Sequence, residues 1–253
     1  ISLNKIGIII LIHSGIYKNT FSKLYFLYIL FLGIFLRFFF ITKLKIFYTS
    51  NYSKKSHIKY FWPRGNVIYF QMPLSNSSKT YLINNLVKSN FVSIGFVGRY
   101  HPDKGIGLLK DILNNFNFEL NPKFKFFLII PNMPISNKFR IHSSINFMSK
   151  TDNIYSFLSQ VDILLLPSKN ESYPIIILEA LNAGCKIIAS DVGGISENNS
   201  KQIKLIAKPD AKYWIKQIIN TNLLSMEKRK NIINRARESN YLDYYINSLE
   251  KNL

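Results

Sequence analysis

The sequence of 253 residues is poor in cysteine and in acidic residues. Its one cysteine, Cys185, cannot form a disulfide within the chain, which excludes a disulfide-stabilised scaffold and is typical of a reducing compartment. The first 102 residues hold 13 Lys and Arg but no Asp or Glu, and the whole chain has a formal net charge of +19. Hydrophobic residues make up 47% of the chain, enough for a full core, so a disordered protein is excluded as well.

The excess of positive charge favours an anionic partner, such as a membrane surface, a nucleic acid or a phosphate-bearing ligand. The alternative is compositional drift, because Ile, Asn, Lys, Phe and Tyr are abundant throughout. No recognised nucleic-acid-binding motif accompanies the charge, so we expect no nucleic-acid partner. The chain begins at Ile1 without a signal-peptide pattern, and we interpret this start as processed or truncated.

A long apolar segment, residues 24–41, lies in the first part of the chain. It contains one charge, Arg37, and lysines flank both of its ends. Three interpretations are open: a buried helix of an α/β domain, a membrane-spanning helix, or an interfacial helix whose aromatic side chains insert among anionic lipids. The interfacial interpretation predicts an anionic membrane surface as a partner.

Alternation of apolar runs with amphipathic stretches predicts an α/β fold. Residues 5–12 form a continuous apolar run, typical of a buried parallel strand. Further strands are predicted at 91–97, 124–130, 161–166 and 186–189. Because helical stretches separate them, we expect a doubly wound parallel sheet. We divide the chain into a partial N-terminal domain at 1–85 and a C-terminal domain at 86–253.

Polar residues cluster in loops that follow predicted strands, where ligands bind in open α/β sheets. The first loop, residues 98–105, places Arg99 and Lys104 beside a helix N-terminus, an arrangement that suits a diphosphate. Gly98 permits close approach of the backbone to such a ligand. The alternative is an ordinary surface turn that carries two cations.

The second loop, residues 167–174, leads into a predicted helix. The backbone amides of Ile175 and Ile176 fall in its first turn, where they can donate to a phosphate. Glu179 follows among apolar neighbours, and such a carboxylate needs a partner, either ribose hydroxyls or a salt bridge. Glu171 lies in the loop itself, where a solvated loop residue is the alternative.

A third loop, residues 191–197, is glycine-rich and by itself predicts only a tight turn. Together, the three loops resemble those of the family 4 retaining glycosyltransferases of GT-B architecture, also called group 1 glycosyltransferases. The matching patterns are G-R-x-x-x-x-K-G at 98–105, P-S-x-x-E-S-x-P at 167–174, the E-x7-E pair at Glu171 and Glu179, and D-V-G-G-I-x-E at 191–197.

The resemblance implies a role for each matching residue. Arg99 and Lys104 would hold a donor diphosphate, and Glu179 would bind ribose hydroxyls. The donor-binding set that it implies is Gly98, Arg99, Lys104, Glu171, Tyr173, Pro174, Ile175, Ile176 and Glu179. The catalytic set is Glu171, Arg99, Lys104 and His13. His13 follows the first apolar run, where the family often places a histidine against the donor sugar, and a purely structural histidine is the alternative.

The resemblance implies a GT-B fold with a truncated second Rossmann-like half. It implies a hexosyltransferase-type enzyme that moves a sugar from a UDP- or GDP-sugar to a glycan or lipid-linked acceptor with retention of configuration, in cell-envelope polysaccharide synthesis. The alternatives are a catalytically inactive nucleotide-sugar-binding relic or fragment, and a sugar-nucleotide epimerase of the same fold. No D-x-D triplet occurs, so we expect no metal and no cofactor. We expect a cytoplasmic protein, peripheral on the inner face of the plasma membrane.

Two positions depart from the family pattern. The G-x-G that often follows the second strand of the donor half is replaced by Pro131-Asn132-Met133, and the glycine that usually follows the next short strand is replaced by Met148-Ser149. Both positions normally lie near the nucleotide base, so the identity of the base stays open.

Overall fold

The structure is a computed structural model of the chain. It describes residues 8–12, 44–48, 50–55, 66–67, 76–86, 89–133, 139–148, 150–198 and 200–236. The chain forms two compact units. The first comprises Ile1–Phe70, Glu171–Tyr173 and Gly193–Glu197, and the second comprises Gln71–Asn170, Pro174–Val192 and Asn198–Leu253. The domain boundary that we placed after residue 85 stays a prediction.

The first unit contains a parallel sheet in the order β1-β2-β3. Its strands are β1 (Ile8–Ile12), β2 (Leu44–Tyr48) and β3 (Asn66–Val67). The apolar run at residues 5–12 was predicted to form a parallel strand, and β1 confirms this, since it pairs in parallel with β2 from Ile8 to Ile12. A helical segment at residues 51–55 follows β2.

The second unit contains a six-stranded parallel sheet in the order β6-β5-β4-β7-β8-β9. Its strands are β4 (Val92–Val97), β5 (Phe124–Ile129), β6 (Ile145–Met148), β7 (Ile163–Leu166), β8 (Lys186–Ser190) and β9 (Ile203–Ile206). The chain order reverses between β4 and β7, which pair with each other. The predicted doubly wound α/β fold is confirmed, and β4 and β7 form its switch point, where such sheets bind ligands.

The helices of the second unit are α1 (Asn76–Asn85), α2 (Ile106–Asn115), α3 (Ile154–Leu158), α4 (Ile175–Asn182), α5 (Ala211–Ile219) and α6 (Met226–Arg235). Helix α2 is amphipathic, because Leu109, Ile112 and Leu113 recur at helical spacing and are fully buried. It packs against α5, whose Trp214 is also fully buried. This core fixes α2, and so fixes the loop that enters it from β4.

Two predictions fall outside the described residues: the placement of the apolar segment 24–41 and that of His13. Among the helices that the structure does describe, none has the length and apolar character needed to cross a bilayer.

Candidate functional site

The first predicted loop begins where β4 ends at the switch point of the sheet. The amide of Gly98 donates to the carbonyl oxygen of Ile129 at 3.1 Å, which extends the pairing of β4 with β5 by one residue. Arg99 follows directly and is exposed. The guanidinium group of Arg99 is therefore carried at the carboxyl edge of the sheet, as predicted from the strand-to-loop pattern.

A 3₁₀ helix, Pro102–Lys104, shapes the same loop before α2. The Nδ1 atom of His101 accepts a hydrogen bond from the amide of Asp103 at 3.3 Å and caps this helix. The amide of Gly105 donates to the carbonyl of Pro102 at 3.0 Å and closes it. Sequence reasoning missed the role of His101, although an acceptor side chain directly before a proline is a helix-start signal.

The first and second loops contact each other. Gly105 has a φ of +71°, and a Cβ atom at this position would overlap the carbonyl oxygen of Pro167. A second contact lies close by, where the amide of Lys169 donates to the carbonyl of Asp103 at 2.8 Å. The glycine at the end of the G-R-x-x-x-x-K-G pattern is thus required by the backbone of the second loop. The structure thus brings the first two loops into direct contact.

Helix α4 presents a free N-terminus after the second loop. Pro174 occupies the N-cap position, and no side chain caps the helix. Within the described part of the chain, the amides of Ile175 and Ile176 donate no hydrogen bond. Two unsatisfied amides at the positive end of a helix dipole can bind an anion such as a phosphate.

Glu179 lies on the same face of α4 as Ile175, one turn further along. It is half-buried, and no hydrogen bond from the described residues reaches its carboxylate. Burial raises the pKa of Glu179 to about 7. Hydroxyl donors from a ligand would stabilise this carboxyl group, because their hydrogen bonds replace those of the water that folding removed.

Tyr155 of α3 interacts electrostatically with the carboxyl group of Glu179, and the sequence did not predict this neighbour. Burial raises the pKa of Tyr155, and the charge of Glu179 raises it further, so the phenol remains protonated. Helices α3 and α4 pack against each other. In the sequence Tyr155 is one aromatic residue of a short predicted helix, and no local pattern indicates that it lies near Glu179.

Glu171 and Tyr173 belong to the first unit and are half-buried there. The third predicted loop contributes a 3₁₀ helix, Gly193–Glu197, to the same unit. The amide of Gly194 donates to the carbonyl of Glu171 at 2.9 Å. The third loop is therefore a turn, as predicted, and it supports the backbone of the residue that the family pattern assigns to the donor sugar.

The family described as "Glycosyl transferases group 1" matches residues 92–221, just over half of the chain. The chain belongs to the group 1 glycosyl transferases. The match runs from β4 to the residues after α5, and so it covers all three predicted loops.

Two curated proteins are similar in sequence to this group 1 glycosyl transferase. The chain is 34% identical over 103 residues to N-acetyl-alpha-D-glucosaminyl L-malate synthase of Bacillus anthracis, covering 40% of this chain and 27% of the relative. It is 26% identical over 193 residues to the capsular polysaccharide biosynthesis glycosyltransferase CapH of Staphylococcus aureus, covering 70% and 52%. The chain thus spans about half the length of these relatives or less.

The fold of the group 1 glycosyl transferase is that of solved glycosyltransferases. HepE of Anabaena, crystallised in complex with UDP and glucose, superposes with a TM-score of 0.68 at 16% identity, covering 96% of this chain and 70% of HepE. The fold is therefore α/β of GT-B type, as predicted.

The loop after β5 contains a residue with left-handed backbone at the departure from the family pattern. Asn132, the middle residue of Pro131-Asn132-Met133, adopts a positive φ of 58°. Asparagine tolerates this left-handed conformation better than most residues. Pro131 and Met133, which stand where the family often has its two glycines, have no positive φ.

A cavity of about 280 Å³ lies away from the predicted site of the group 1 glycosyl transferase. It is lined by the first residues of β8 and β9, including Lys186 and Lys204, and by the end of α5. None of the predicted site residues lines it. Since parallel sheets bind ligands at the carboxyl ends of their strands, we place the candidate site at the switch point.

Proposed function

We propose that the chain carries the donor site of a family 4 retaining glycosyltransferase, which transfers a hexose from a UDP- or GDP-sugar to a glycan or lipid-linked acceptor during cell-envelope polysaccharide assembly. The observation that carries the proposal is the junction of the first two loops through Gly105 and Pro167 at the switch point. The complex of HepE with UDP-glucose and the role in capsule synthesis for which CapH is named support it.

Binding of the donor diphosphate is assigned to Arg99, Lys104 and the free amides of α4. Negative charge grows on the diphosphate as its bond to the sugar breaks. Cations and helix amides that are held in place beforehand stabilise this charge in the transition state, without reorganisation during the reaction. Loss of Arg99 or Lys104 is therefore expected to lower turnover more than ground-state binding.

The nucleoside and sugar are assigned to the two glutamates of the E-x7-E pair. Glu179 accepts hydrogen bonds from the ribose hydroxyls, and Glu171 contacts the donor sugar. The sugar passes through an oxocarbenium-like transition state. A departing phosphate oxygen takes the proton of the acceptor hydroxyl on the same face, which gives retention of configuration.

The donor site is tested by calorimetric titration with UDP and with GDP. Glu179→Ala removes a hydrogen-bond partner of the ribose and is expected to weaken binding about 10- to 100-fold. Arg99→Ala and Lys104→Ala are expected to weaken it as well. Glu119→Ala, at an exposed turn, removes one carboxylate elsewhere and serves as the matched control. Binding that is the same in all four variants and the unchanged chain contradicts the site.

We also propose that transfer needs no metal ion, because Arg99, Lys104 and the α4 amides supply the positive charge that a cation supplies in other transferases. The test is transfer in excess EDTA, with the anomeric configuration of the product read by NMR. Activity is expected to persist, with an anomeric configuration that matches the donor. Loss in EDTA with recovery in Mg²⁺ or Mn²⁺ overturns metal independence, and an inverted product overturns retention.

A peripheral position on the inner face of the plasma membrane is part of the proposal. The apolar segment 24–41, its flanking lysines and the net charge of +19 support it. The test is cosedimentation with vesicles of graded anionic lipid content. Binding is expected to rise with anionic lipid and to fall with salt, whereas equal recovery in the supernatant for neutral and anionic vesicles contradicts it.

A further inference from the structure

The turn Gly193–Glu197 has no role in the proposed donor site, although it carries one of the family patterns. Its last residue, Glu197, is engaged through both carboxylate oxygens. The amide of Asn51 donates to Oε2 at 2.9 Å, and the amide of Tyr52 donates to Oε1 at 2.7 Å. A carboxylate thus joins two stretches of the first unit that lie 145 residues or more apart in the sequence.

The two amides are the first of the helical segment at residues 51–55. Ser50 precedes them, and its Oγ accepts from the amide of Ser53 at 3.0 Å. The first three amides of the segment are therefore all paired, two by Glu197 and one by Ser50. Charge-assisted hydrogen bonds and the helix dipole both favour a carboxylate at this end.

The other end of the turn holds the backbone of the Glu171 segment. The amide of Gly194 donates to the carbonyl of Glu171 at 2.9 Å. Gly193 has a φ of +55°, and a Cβ atom there would overlap the carbonyl of Glu171. A Cβ atom on Gly194 would overlap the carbonyl of Ser172. The glycine pair is thus needed for close approach to two successive carbonyl groups.

We propose that Glu197 is a positioning residue for Glu171. Its carboxylate anchors the turn to residues 51–52, and the anchored turn holds the carbonyl of Glu171 through Gly194. The carboxylate acts through the backbone, because its two oxygens accept the amides of Asn51 and Tyr52. The consequence for catalysis rests on the proposed function, in which Glu171 contacts the donor sugar.

Amide hydrogen exchange, measured by NMR on the full chain, tests the anchoring without any substrate. Glu197→Ala is expected to accelerate exchange about tenfold or more at Asn51, Tyr52 and Gly194, because charge-assisted hydrogen bonds protect the first two and the anchored turn protects the third. Glu197→Gln keeps one acceptor oxygen and is expected to have a smaller effect. Amides of β5 are expected to stay unchanged, as are all amides in Glu119→Ala.

Each result of the exchange measurement decides the proposal. Acceleration at Asn51 and Tyr52 with no change at Gly194 shows a helix cap that does not position the Glu171 segment, and overturns the proposal. Acceleration throughout the chain in both variants shows a general loss of stability, and overturns it as well.

A second measurement separates positioning from the donor site itself. Binding of UDP and of UDP-glucose is compared in the unchanged chain and in Glu197→Gln. The variant is expected to bind UDP equally well and UDP-glucose about threefold or more weaker, since only the sugar reaches Glu171. An equal loss for both ligands contradicts positioning. If the unchanged chain binds neither UDP nor GDP, the proposed function fails, and the exchange at Gly194 alone decides the role of Glu197.

Discussion

Helix α4 and the turn Gly193–Glu197 each carry a glutamate of the family pattern, and the fold treats them in opposite ways. Glu197 has an amide donor on each carboxylate oxygen. Glu179 receives no hydrogen bond from the residues that the structure describes, and burial raises its pKa to about 7. A carboxylate whose oxygens accept backbone amides of the protein, as in Glu197, has a structural role. One that the fold leaves without donors is available to a ligand.

The difference has an energetic consequence. Burying a carboxyl group without donors disfavours its charged form, so the folded chain at neutral pH bears a cost at Glu179. Proteins retain such costs at sites where activity depends on them. This region is therefore expected to become more stable when the charge is removed, whereas the turn is expected to become less stable.

The largest expected effects on stability come from substituting the glycines that allow close backbone contacts in the two regions. Gly105→Ala places a Cβ atom on the carbonyl of Pro167, and Gly194→Ala places one on the carbonyl of Ser172. Because backbone must move in both, each substitution is expected to lower the free energy of unfolding by about 3 kcal/mol or more. Urea denaturation measures the change.

Gly107→Ala is the matched control for these two substitutions. Gly107 lies in the first turn of α2, and nothing is within 4 Å of a Cβ atom built there. Alanine is expected to stabilise the chain by about 0.5–1 kcal/mol, as in an exposed helix. An equal loss at all three glycines would contradict the assigned contacts.

The loops of α4 and its neighbours could be predicted from the sequence because their signals are local. Apolar runs that end at Gly98 and Pro167 mark the carboxyl ends of β4 and β7, and parallel strands bring such ends to one edge. The same logic placed Ile175, Ile176 and Glu179 on the first turns of one helix. These inferences need only periodicity and strand direction.

The partner of Glu197 could not be predicted, because it depends on long-range packing. Asn51 and Tyr52 carry no pattern that selects a distant acid, and the amides that bind it are present in every residue. The proximity of Tyr155 to Glu179 likewise depends on how α3 packs on α4. Sequence patterns located the third loop but gave it only the role of a turn.

Exchanging each glutamate for glutamine is expected to change stability in opposite directions. The raised pKa of Glu179 means that the folded chain holds a proton between pH 4.5 and about 7 that the unfolded chain has lost. Stability due to this group is fully present below pH 4.5 and is lost as the pH rises through 7. Glu179→Gln is therefore expected to gain about 2 kcal/mol at pH 8 and nothing at pH 4.

Glu197→Gln, by contrast, loses one acceptor for a helix amide and is expected to cost about 1 kcal/mol at pH 8. Urea denaturation at pH 4, 6 and 8 measures both variants against the unchanged chain. A Glu179→Gln variant that is equally destabilised at every pH would show that its carboxylate has a donor, and would remove the distinction between the two glutamates.

The last expected effect is on the pH dependence of donor binding, and it applies to Glu179 alone. Ribose hydroxyls that donate to the carboxylate favour its charged form, so the pKa of Glu179 is expected to fall from about 7 when a nucleotide-sugar binds. Binding then releases a proton, and the dissociation constant is expected to rise up to about tenfold per pH unit below 7. UDP-glucose is the suitable probe, because its diphosphate is esterified at both ends and keeps its charge over this range. Calorimetry from pH 5.5 to 8 is expected to show this slope in the unchanged chain and in Glu197→Gln but not in Glu179→Gln. A slope that survives in Glu179→Gln would assign the titration to another group.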